Sequence, residues 1–407
     1  MKPLQLIPLL LLATGLSGGG VPAGKPEDVG MSSERLARIH EAIQRHVDAG
    51  EISGAVTLVA RRGRVAHFET HGLMDIESKR PMDRDAIFRI ASMTKPITGV
   101  AVMMMLEEGR LRLSDPVSRF LPEFKASQVA MPWTGTPAFY LVPADRELTI
   151  RDLLTHTNGL MTGGPGSKAG PARPVEGDTL ATYVPRLAAA PLDFQPGTQW
   201  AYSGLAGPDT LSRIVEIVSG MPYDQFLRTR IFEPLGMKDT FFYPPDDRRP
   251  RLTTLYSKSP NGLVKAENQN GFSLKSYCSG GGGLMSTAED YLQFAEMLLN
   301  GGELNGKRLL SPRTVDLMAS NHVGDMFNGK LGRPAHGMGY GLLVGIVEDG
   351  VAAGLRVSNG SFGWDGAYGT QTWIDPKEKM VTIVMIQTQV VSVQRDFESA
   401  VMQAIVE

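Results

Sequence analysis

The sequence predicts an α+β fold in which an antiparallel sheet is flanked by helices from both chain termini. Two pairs of short β-branched segments, one near each end of the chain, flank tight turns and predict hairpins. Helical patterns lie outside both hairpins, one after Gly30 and one at the end of the chain. Residues 105–330 combine helical patterns with long Gly- and Pro-rich loops, which indicates an inserted, mostly helical lobe.

The N-terminal elements follow in the order helix, strand, strand. Ser32 is a favourable N-cap, and the helix after it is expected to run to Gly50. Its apolar residues recur at helical spacing: Leu36, Ile39, Ile43 and Val47. Residues 54–60 and 64–70 flank the turn Arg61-Arg62-Gly63 and are therefore expected to form the first hairpin.

The C-terminal elements mirror this arrangement. Residues 369–374 and 380–387 flank Asp375-Pro376-Lys377, which predicts the second hairpin. The segment from about 393 to 406 is amphipathic with helical spacing. Strands from the two ends can therefore share one sheet, with the helical lobe inserted between them.

The first 24 residues are typical of a secretory signal peptide. Lys2 precedes an apolar run from Leu4 to Leu16, and small residues follow up to Ala23. The run is too short to span a bilayer, so we expect a periplasmic or secreted protein without stable membrane insertion. The alternative is a disordered tail on a cytoplasmic protein, which Pro8 inside the apolar run leaves open.

Composition narrows the possible partners. The chain of 407 residues has a formal net charge of -2 and no long basic stretch. This composition indicates neither binding to nucleic acid nor binding to an acidic membrane surface. A small neutral or weakly charged ligand fits better. The single cysteine excludes an internal disulfide, and the seven histidines show no common metal-ligand spacing, so we expect neither a metal nor a cofactor.

Two short motifs are misleading. Residues 15–19 match the GxSxG pattern but lie in the signal segment, where no strand-turn-helix elbow can form. Residues 301–308 approach a phosphate-binding loop, but Arg308 stands where Ser or Thr is required and a helix rather than a strand precedes the motif.

Ser92-Met93-Thr94-Lys95 is the one Ser-x-x-Lys spacing in the chain, and an apolar helical pattern continues after it. Ser92 should therefore lie near the first turn of a helix, with Lys95 one turn further on the same face. A serine hydroxyl needs a nearby base to become a nucleophile, and a buried lysine can serve as that base. The helix N-terminus adds N–H groups for a developing oxyanion. The alternative is an N-cap serine followed by a surface lysine.

Tyr202, in Gln199-Trp200-Ala201-Tyr202-Ser203, is the third candidate for this chemistry. A phenol beside an ammonium group can share its proton and relay it between nucleophile and leaving group. The alternative is a half-buried aromatic residue in a loop.

Together, four landmarks resemble the serine β-lactamase and penicillin-binding-protein family, closest to family VIII carboxylesterases and class C β-lactamases. The resemblance covers residues 30–400. The landmarks are Ser92-Met93-Thr94-Lys95, Leu153-Leu154-Thr155-His156-Thr157-Asn158-Gly159-Leu160, Pro196-Gly197 leading to Tyr202-Ser203, and Trp364-Asp365-Gly366-Ala367-Tyr368-Gly369.

The resemblance implies a β-lactamase-like fold and a single catalytic unit over residues 30–407. Its α/β lobe would comprise residues 30–104 and 331–407, and its mostly helical lobe residues 105–330. It further implies that Ser92 attacks the acyl carbonyl and that Lys95 and Tyr202 share general-base and general-acid duty.

The remaining site residues are also assigned by resemblance. The amides of Ser92 and Ala367 would form the oxyanion hole, and Trp364, Asp365 and Gly366 would contact substrate. His156 would support the fold by bonding backbone groups rather than act as a base.

Two departures from the family pattern bear on substrate choice. Trp364-Asp365-Gly366 replaces the Lys-Thr-Gly of β-lactamases, so a carboxylate anchor is missing and Asp365 would repel an anionic ligand if it faced the cleft. Gly204 stands where class C enzymes carry an amide side chain. Whether Ser203 or the 160–180 loop replaces that amide is open.

We therefore expect a serine hydrolase that cleaves short-acyl esters through an acyl-enzyme on Ser92, with weak or absent β-lactam hydrolysis. The alternatives are a β-lactamase, a D-Ala-D-Ala carboxypeptidase or peptidase, and an acyl transferase. A non-enzyme alternative is a binding or sensor module that is acylated but turns over too slowly to matter.

Overall fold

The computed structural model describes residues 20–134 and 139–407. Most of the signal segment expected over residues 1–24 lies outside these ranges, because only residues 20–24 of it are described. Within the described ranges, no helix combines the length and the apolar character that a membrane crossing requires.

Among the described residues, the largest sheet has eight strands, and all neighbouring strands are antiparallel. The described strands are β1 (Gly54–Arg61), β2 (Arg64–Asp75), β3 (Arg80–Pro81), β4 (Phe88–Arg89), β5 (Gln128–Pro132), β6 (Phe139–Pro143), β7 (Tyr256–Ser259), β8 (Gly262–Lys265), β9 (Met285–Ser286), β10 (Glu303–Leu304), β11 (Lys307–Arg308), β12 (Met338–Tyr340), β13 (Gly345–Val347), β14 (Phe362–Asp365), β15 (Gln371–Asp375) and β16 (Met380–Met385). The strand order in the large sheet is β12-β13-β14-β15-β16-β1-β2-β3.

Helices occur at both chain ends and through the middle of the chain. They are α1 (Ser33–Leu36), α2 (Arg38–Asp48), α3 (Thr94–Glu107), α4 (Ile150–Thr155), α5 (Leu180–Leu187), α6 (Ala206–Ser219), α7 (Tyr223–Leu227), α8 (Glu233–Leu235), α9 (Ala288–Leu299), α10 (Pro312–Met318), α11 (Gly350–Ala353) and α12 (Val391–Met402). The expected α+β class and the antiparallel sheet with helices from both termini are confirmed.

The predicted hairpins are β1–β2 and β15–β16, and they meet at the centre of the sheet. Strand β1 pairs with β16, so that Val56 lies opposite Met385. Every residue of β1 is buried because helices cover the sheet on both faces. On one face, Val59 packs with Ile39 of α2 and Val401 of α12.

The opposite face of the sheet carries α3, which positions the candidate nucleophile. Val56 and Leu58 of β1 pack in the same core as Ile97 and Val100 of α3. From Thr94 to Met105, this helix is buried all round. A helix enclosed on every side cannot rotate without disrupting the core, so side chains at its N-terminus keep one orientation.

Candidate active site

Ser92 lies in a single 3-10 turn, Ala91–Met93, that leads directly into α3. Ala91, the residue before it, is fully buried and has a positive φ of 43°. This backbone conformation is unfavourable for a residue with a Cβ atom, so the surrounding core must hold it. The structure places Ser92 directly before α3, as the sequence predicted. The residue lies in a 3-10 turn, which is tighter than an α-helical turn.

Lys95 is fully buried one turn after Ser92. Its Nζ donates a hydrogen bond to Ser92 Oγ at 3.0 Å and another to the carbonyl oxygen of Gly281 at 2.6 Å. The same Nζ lies 4.8 Å from the ring centroid of Tyr202. The amine therefore contacts the serine hydroxyl away from bulk water, and Lys95 is not the surface lysine of the alternative interpretation.

Tyr202 reaches the same hydroxyl from a loop before α6. Its phenol oxygen lies 2.8 Å from Ser92 Oγ. Trp364 Nε1 donates to that phenol oxygen at 3.3 Å, which orients the tyrosine from the other side. The structure thus brings Ser92, Lys95 and Tyr202 together, and both Ser92 and Tyr202 are half-buried rather than enclosed.

Asp209 is a buried residue near the site that sequence reasoning missed. It lies in the first turn of α6 and accepts hydrogen bonds from Tyr277 Oη at 2.8 Å, Ser279 Oγ at 2.7 Å and the Gly281 amide at 3.0 Å. Burial raises the pKa of Asp209, while these hydrogen bonds and the positive charge of Lys95 oppose the rise.

Asp209 and Lys95 therefore hold Gly281 from two sides, one at its amide and one at its carbonyl. A Cβ atom on Gly281 would lie 2.8 Å from the carbonyl oxygen of Gly204, so a larger residue does not fit here. The sequence signal for Asp209 is weak, because it is one of two acids in α6, with Glu216, and lies seven positions after Tyr202.

The end of β14 packs against the turn that carries Ser92. A Cβ atom on Gly366 would lie 2.5 Å from the carbonyl oxygen of Ile90, so glycine permits this close approach. The next residue, Ala367, is exposed, and its amide donates no hydrogen bond to another group within the described part of the chain. That amide is available to a ligand beside the Ser92 turn.

Trp364 and Asp365 differ in their exposure to solvent. Only 3% of Trp364 is exposed, and its ring packs among Phe327 and Tyr340. Its polar contact is with Tyr202, so it orients the phenol and offers little surface to a substrate. Asp365 is partly exposed at the same strand end.

The charge of Asp365 is compensated. Its carboxylate accepts hydrogen bonds from the Arg333 guanidinium and from Gln371 Nε2, the latter at 3.1 Å. The Arg333 guanidinium also lies 5.5 Å from the ring centroid of Trp364. The expected repulsion of anions assumed an unpaired Asp365, whereas here a cation lies beside it at the margin of the cleft.

His156 lies behind Tyr202 in a fully buried aromatic cluster. Its ring is 4.8 Å from the Tyr202 ring, 5.3 Å from Tyr340 and 5.7 Å from Trp200. Neither ring nitrogen has a hydrogen-bond partner among the described residues, in contrast to the expected bonds to backbone groups. Burial and the nearby Lys95 charge hold its pKa well below the usual value, so the imidazole is neutral and supports Tyr202 by packing.

Ser203 does not replace the amide side chain that is absent at Gly204. Ser203 Oγ donates to the Leu160 carbonyl oxygen at 2.5 Å and accepts from the Gly207 amide at 2.9 Å. Both interactions brace backbone segments around Tyr202. Ser203 therefore stabilises the loop and is not available to orient a substrate.

Comparison with known proteins identifies the family. The Beta-lactamase family model matches residues 39–405. Protein Rv1367c of Mycobacterium tuberculosis is 38% identical, over 85% of this chain and 88% of its own. Esterase EstB of Burkholderia gladioli is 31% identical, over 86% of this chain and 90% of its own.

Among solved structures, EstCE1, a hydrolase with promiscuous acyltransferase activity, superposes with a TM-score of 0.77 at 29% identity, covering 92% of this chain and 99% of its own. The relatives include esterases, acyltransferases and carboxypeptidase-like proteins, which supports an enzyme of the serine hydrolase type. The chain belongs to the beta-lactamase family.

Proposed function

We propose that this protein is a carboxylesterase that cleaves short-acyl esters through an acyl-enzyme on Ser92. The observation that carries the proposal is the convergence of a buried amine and a phenol on one serine hydroxyl, at 3.0 Å and 2.8 Å. Both distances are within hydrogen-bond reach, as a proton transfer from the nucleophile requires.

In the proposed reaction, Ser92 Oγ attacks the ester carbonyl and its proton passes to the Lys95–Tyr202 pair. The amides of Ser92 and Ala367 stabilise the oxyanion, and the loss of one such donor typically costs about 2.7–4 kcal/mol of barrier. The pair returns the proton to the departing alkoxide. Water then attacks the acyl-enzyme, which releases the acid and restores the serine.

Uncharged esters are the proposed substrates. The cleft margin presents Asp365 paired with Arg333, so its charges are balanced rather than of one sign. Among the described residues, none supplies an unpaired cation at the Trp364-Asp365-Gly366 segment, where β-lactamases hold a carboxylate. Relatives include EstB, named as an esterase, and EstCE1, named as a hydrolase with promiscuous acyltransferase activity.

Rate measurements on two substrate classes test the proposal. Steady-state rates are measured on p-nitrophenyl acetate to octanoate and on a chromogenic cephalosporin, for the wild type, Ser92→Ala and the exposed control Ser320→Ala. We expect Ser92→Ala to lose at least about 1,000-fold in kcat on the esters, because removal of a nucleophile has effects of this order or larger. Ser320→Ala should behave as the wild type.

Four results would contradict parts of this proposal. Retention of esterase activity by Ser92→Ala would reject the nucleophile. Faster cleavage of the cephalosporin than of every ester would reject the substrate class. Capture of the acyl group by an added alcohol in preference to water would make the protein an acyl transferase, and a stoichiometric burst without turnover would make it a sensor.

Export to the periplasm or the medium is proposed from residues 1–24. The test is the N-terminal sequence of the protein recovered from a periplasmic fraction. A start near residue 24 supports cleavage of a signal peptide, and an intact Met1 in the cytoplasmic fraction contradicts it.

A further inference from the structure

Two histidines and a glutamate from different elements meet on the sheet face opposite α3. Glu69 and His71 are two residues apart on β2, so their side chains lie on one face of the strand. His40 of α2 reaches the same face from above. Val59 of β1, which lies opposite His67 in the sheet, packs with α2 on this face. The sequence spacing of the histidines predicted no metal site, and the fold creates this cluster by packing a helix on a strand.

The potential ligand atoms of this cluster are close together. His40 Nδ1 lies 2.7 Å from Glu69 Oε1, and His71 Nε2 lies 3.9 Å from Glu69 Oε2. One ligand atom from each of the three residues lies within 4.8 Å of the others. The side chain of His71 is fully buried, whereas 53% of the His40 side chain is exposed, so the cluster is open to solvent on one side.

The contact between His40 and Glu69 leaves one ring nitrogen of His71 without a partner among the described residues. Its Nδ1 has no hydrogen-bond partner among the described residues, and its Nε2 lies 3.2 Å from Thr57 Oγ1. Thr57 Oγ1 also lies 2.8 Å from His67 Nε2; when its hydroxyl hydrogen is donated to His67, the Nε2 lone pair of the Nδ1–H tautomer of His71 is free for a metal ion. The His71 side chain is fully buried, and a metal ion binds imidazole in its neutral form.

We propose that His40, Glu69 and His71 form a binding site for a divalent zinc-like transition-metal ion, with Zn²⁺ as the expected occupant. Zn²⁺ binds imidazole nitrogen and carboxylate oxygen at about 2.0–2.2 Å, which in a tetrahedral site separates ligand atoms by about 3.4 Å. The separations given above lie on both sides of that value, and the exposed His40 ring can move to adjust them. A water molecule would complete the coordination from the solvent side.

The ligand set also predicts selectivity. Two imidazoles favour Zn²⁺, Ni²⁺ or Cu²⁺ over Mg²⁺ and Ca²⁺, which prefer oxygen ligands. Because the ligands come from α2 and β2, a bound ion would cross-link the N-terminal helix to the sheet. The ion would act on the opposite side of the sheet from α3, so we assign it a structural and not a catalytic effect.

Calorimetric titration of the chelator-treated full-length chain with zinc sulfate tests this site. We expect one ion per chain, an increase in Tm, and no comparable response to Mg²⁺ or Ca²⁺. His40→Ala changes an exposed side chain and should weaken binding by about 10-fold or more, because even residues that only support metal ligands contribute 10–100-fold. Glu69→Gln should do the same, while the exposed control His336→Ala and the Ser92→Ala variant should bind as the wild type.

A second readout is the visible spectrum of the Co²⁺-substituted protein, which should show the intense absorption of four-coordinate cobalt and lose it in His40→Ala. The proposal is overturned if the wild type does not bind Zn²⁺, or if His40→Ala and Glu69→Gln bind it with unchanged affinity. The latter result would mean an adventitious ion only. Neither outcome bears on the esterase proposal, since binding is measured without substrate.

Discussion

Replacing Asp365 by asparagine would expose the charge of Arg333 at the margin of the cleft. The amide side chain would keep the size of the carboxylate and an oxygen that can accept from Arg333 or Gln371, so the strand end should retain its geometry. What changes is the net charge of this region, which becomes more positive by one unit. We expect the variant to gain activity on esters that carry a carboxylate, relative to neutral esters.

The size of this change follows from the partial burial of the pair. The side chains of Arg333 and Asp365 are 17% and 27% exposed, between the interior and the surface. At an effective dielectric constant of about 20 and an assumed separation of about 7 Å, a unit charge contributes roughly 2.4 kcal/mol to the binding of a substrate carboxylate. Solvent screening reduces this to roughly 1–1.5 kcal/mol, which corresponds to about a tenfold change in relative kcat/KM.

The assay compares p-nitrophenyl butyrate with mono-p-nitrophenyl succinate, two esters of similar size that differ by one carboxylate. The ratio of their kcat/KM values should shift about tenfold towards the succinate in Asp365→Asn. The shift should shrink with added salt and disappear in the double variant Arg333→Gln/Asp365→Asn. Equal changes on both esters would refute the assignment of the Arg333 charge to the cleft.

Two further predictions concern buried carboxyl groups. Asp209→Ala leaves Tyr277, Ser279 and Gly281 without their acceptor and should lower the free energy of unfolding in urea by roughly 3–6 kcal/mol, with a smaller loss for Asp209→Asn; equal losses would contradict this. Burial raises the pKa of Glu296 from 4.5 to about 7, so its contribution to stability is present at low pH and lost as pH rises from about 4.5 to 7. Glu296→Gln should therefore stabilise the protein by roughly 2–3 kcal/mol at pH 8 and little at pH 5, and a pH-independent difference in Tm would disprove this interpretation.

Local sequence patterns determined the parts of the fold that depend on neighbouring residues. The turn at Arg62-Gly63 and the β-branched segments around it define the first hairpin, with ends that differ from the structure by a few residues. The contact between Ser92 and Lys95 follows from one helical turn. These features need no information about distant segments.

Contacts between distant segments could not be derived in this way. The position of Tyr202 beside Ser92 was expected only because of the family resemblance, since 110 residues separate them. The sequence did not identify Asp209 as a site residue, because Asp209 acts through its hydrogen bond to Gly281 and no local sequence pattern connects these two residues. A buried acid stands out in a sequence only when the burial of its helix is known.

The electrostatic effect of Asp365 could not be derived from the sequence for a related reason. The effect of Asp365 depended on which residue pairs with it, and Arg333 lies in a separate loop 32 positions earlier. The packing role of His156 likewise depends on three aromatic rings that the fold gathers around it. One sequence specifies these side chains but not their neighbours.

The pairing of β1 with β16 has a consequence for biosynthesis. While the ribosome makes this protein, β1 and β2 emerge early, but the strand that completes the centre of the sheet emerges only near the end, as the partnership of Val56 with Met385 requires. Until then, an apolar strand edge stays open to pairing with other nascent chains. Productive folding must therefore be largely post-translational, and chaperones that shield this edge should improve the yield of recombinant protein.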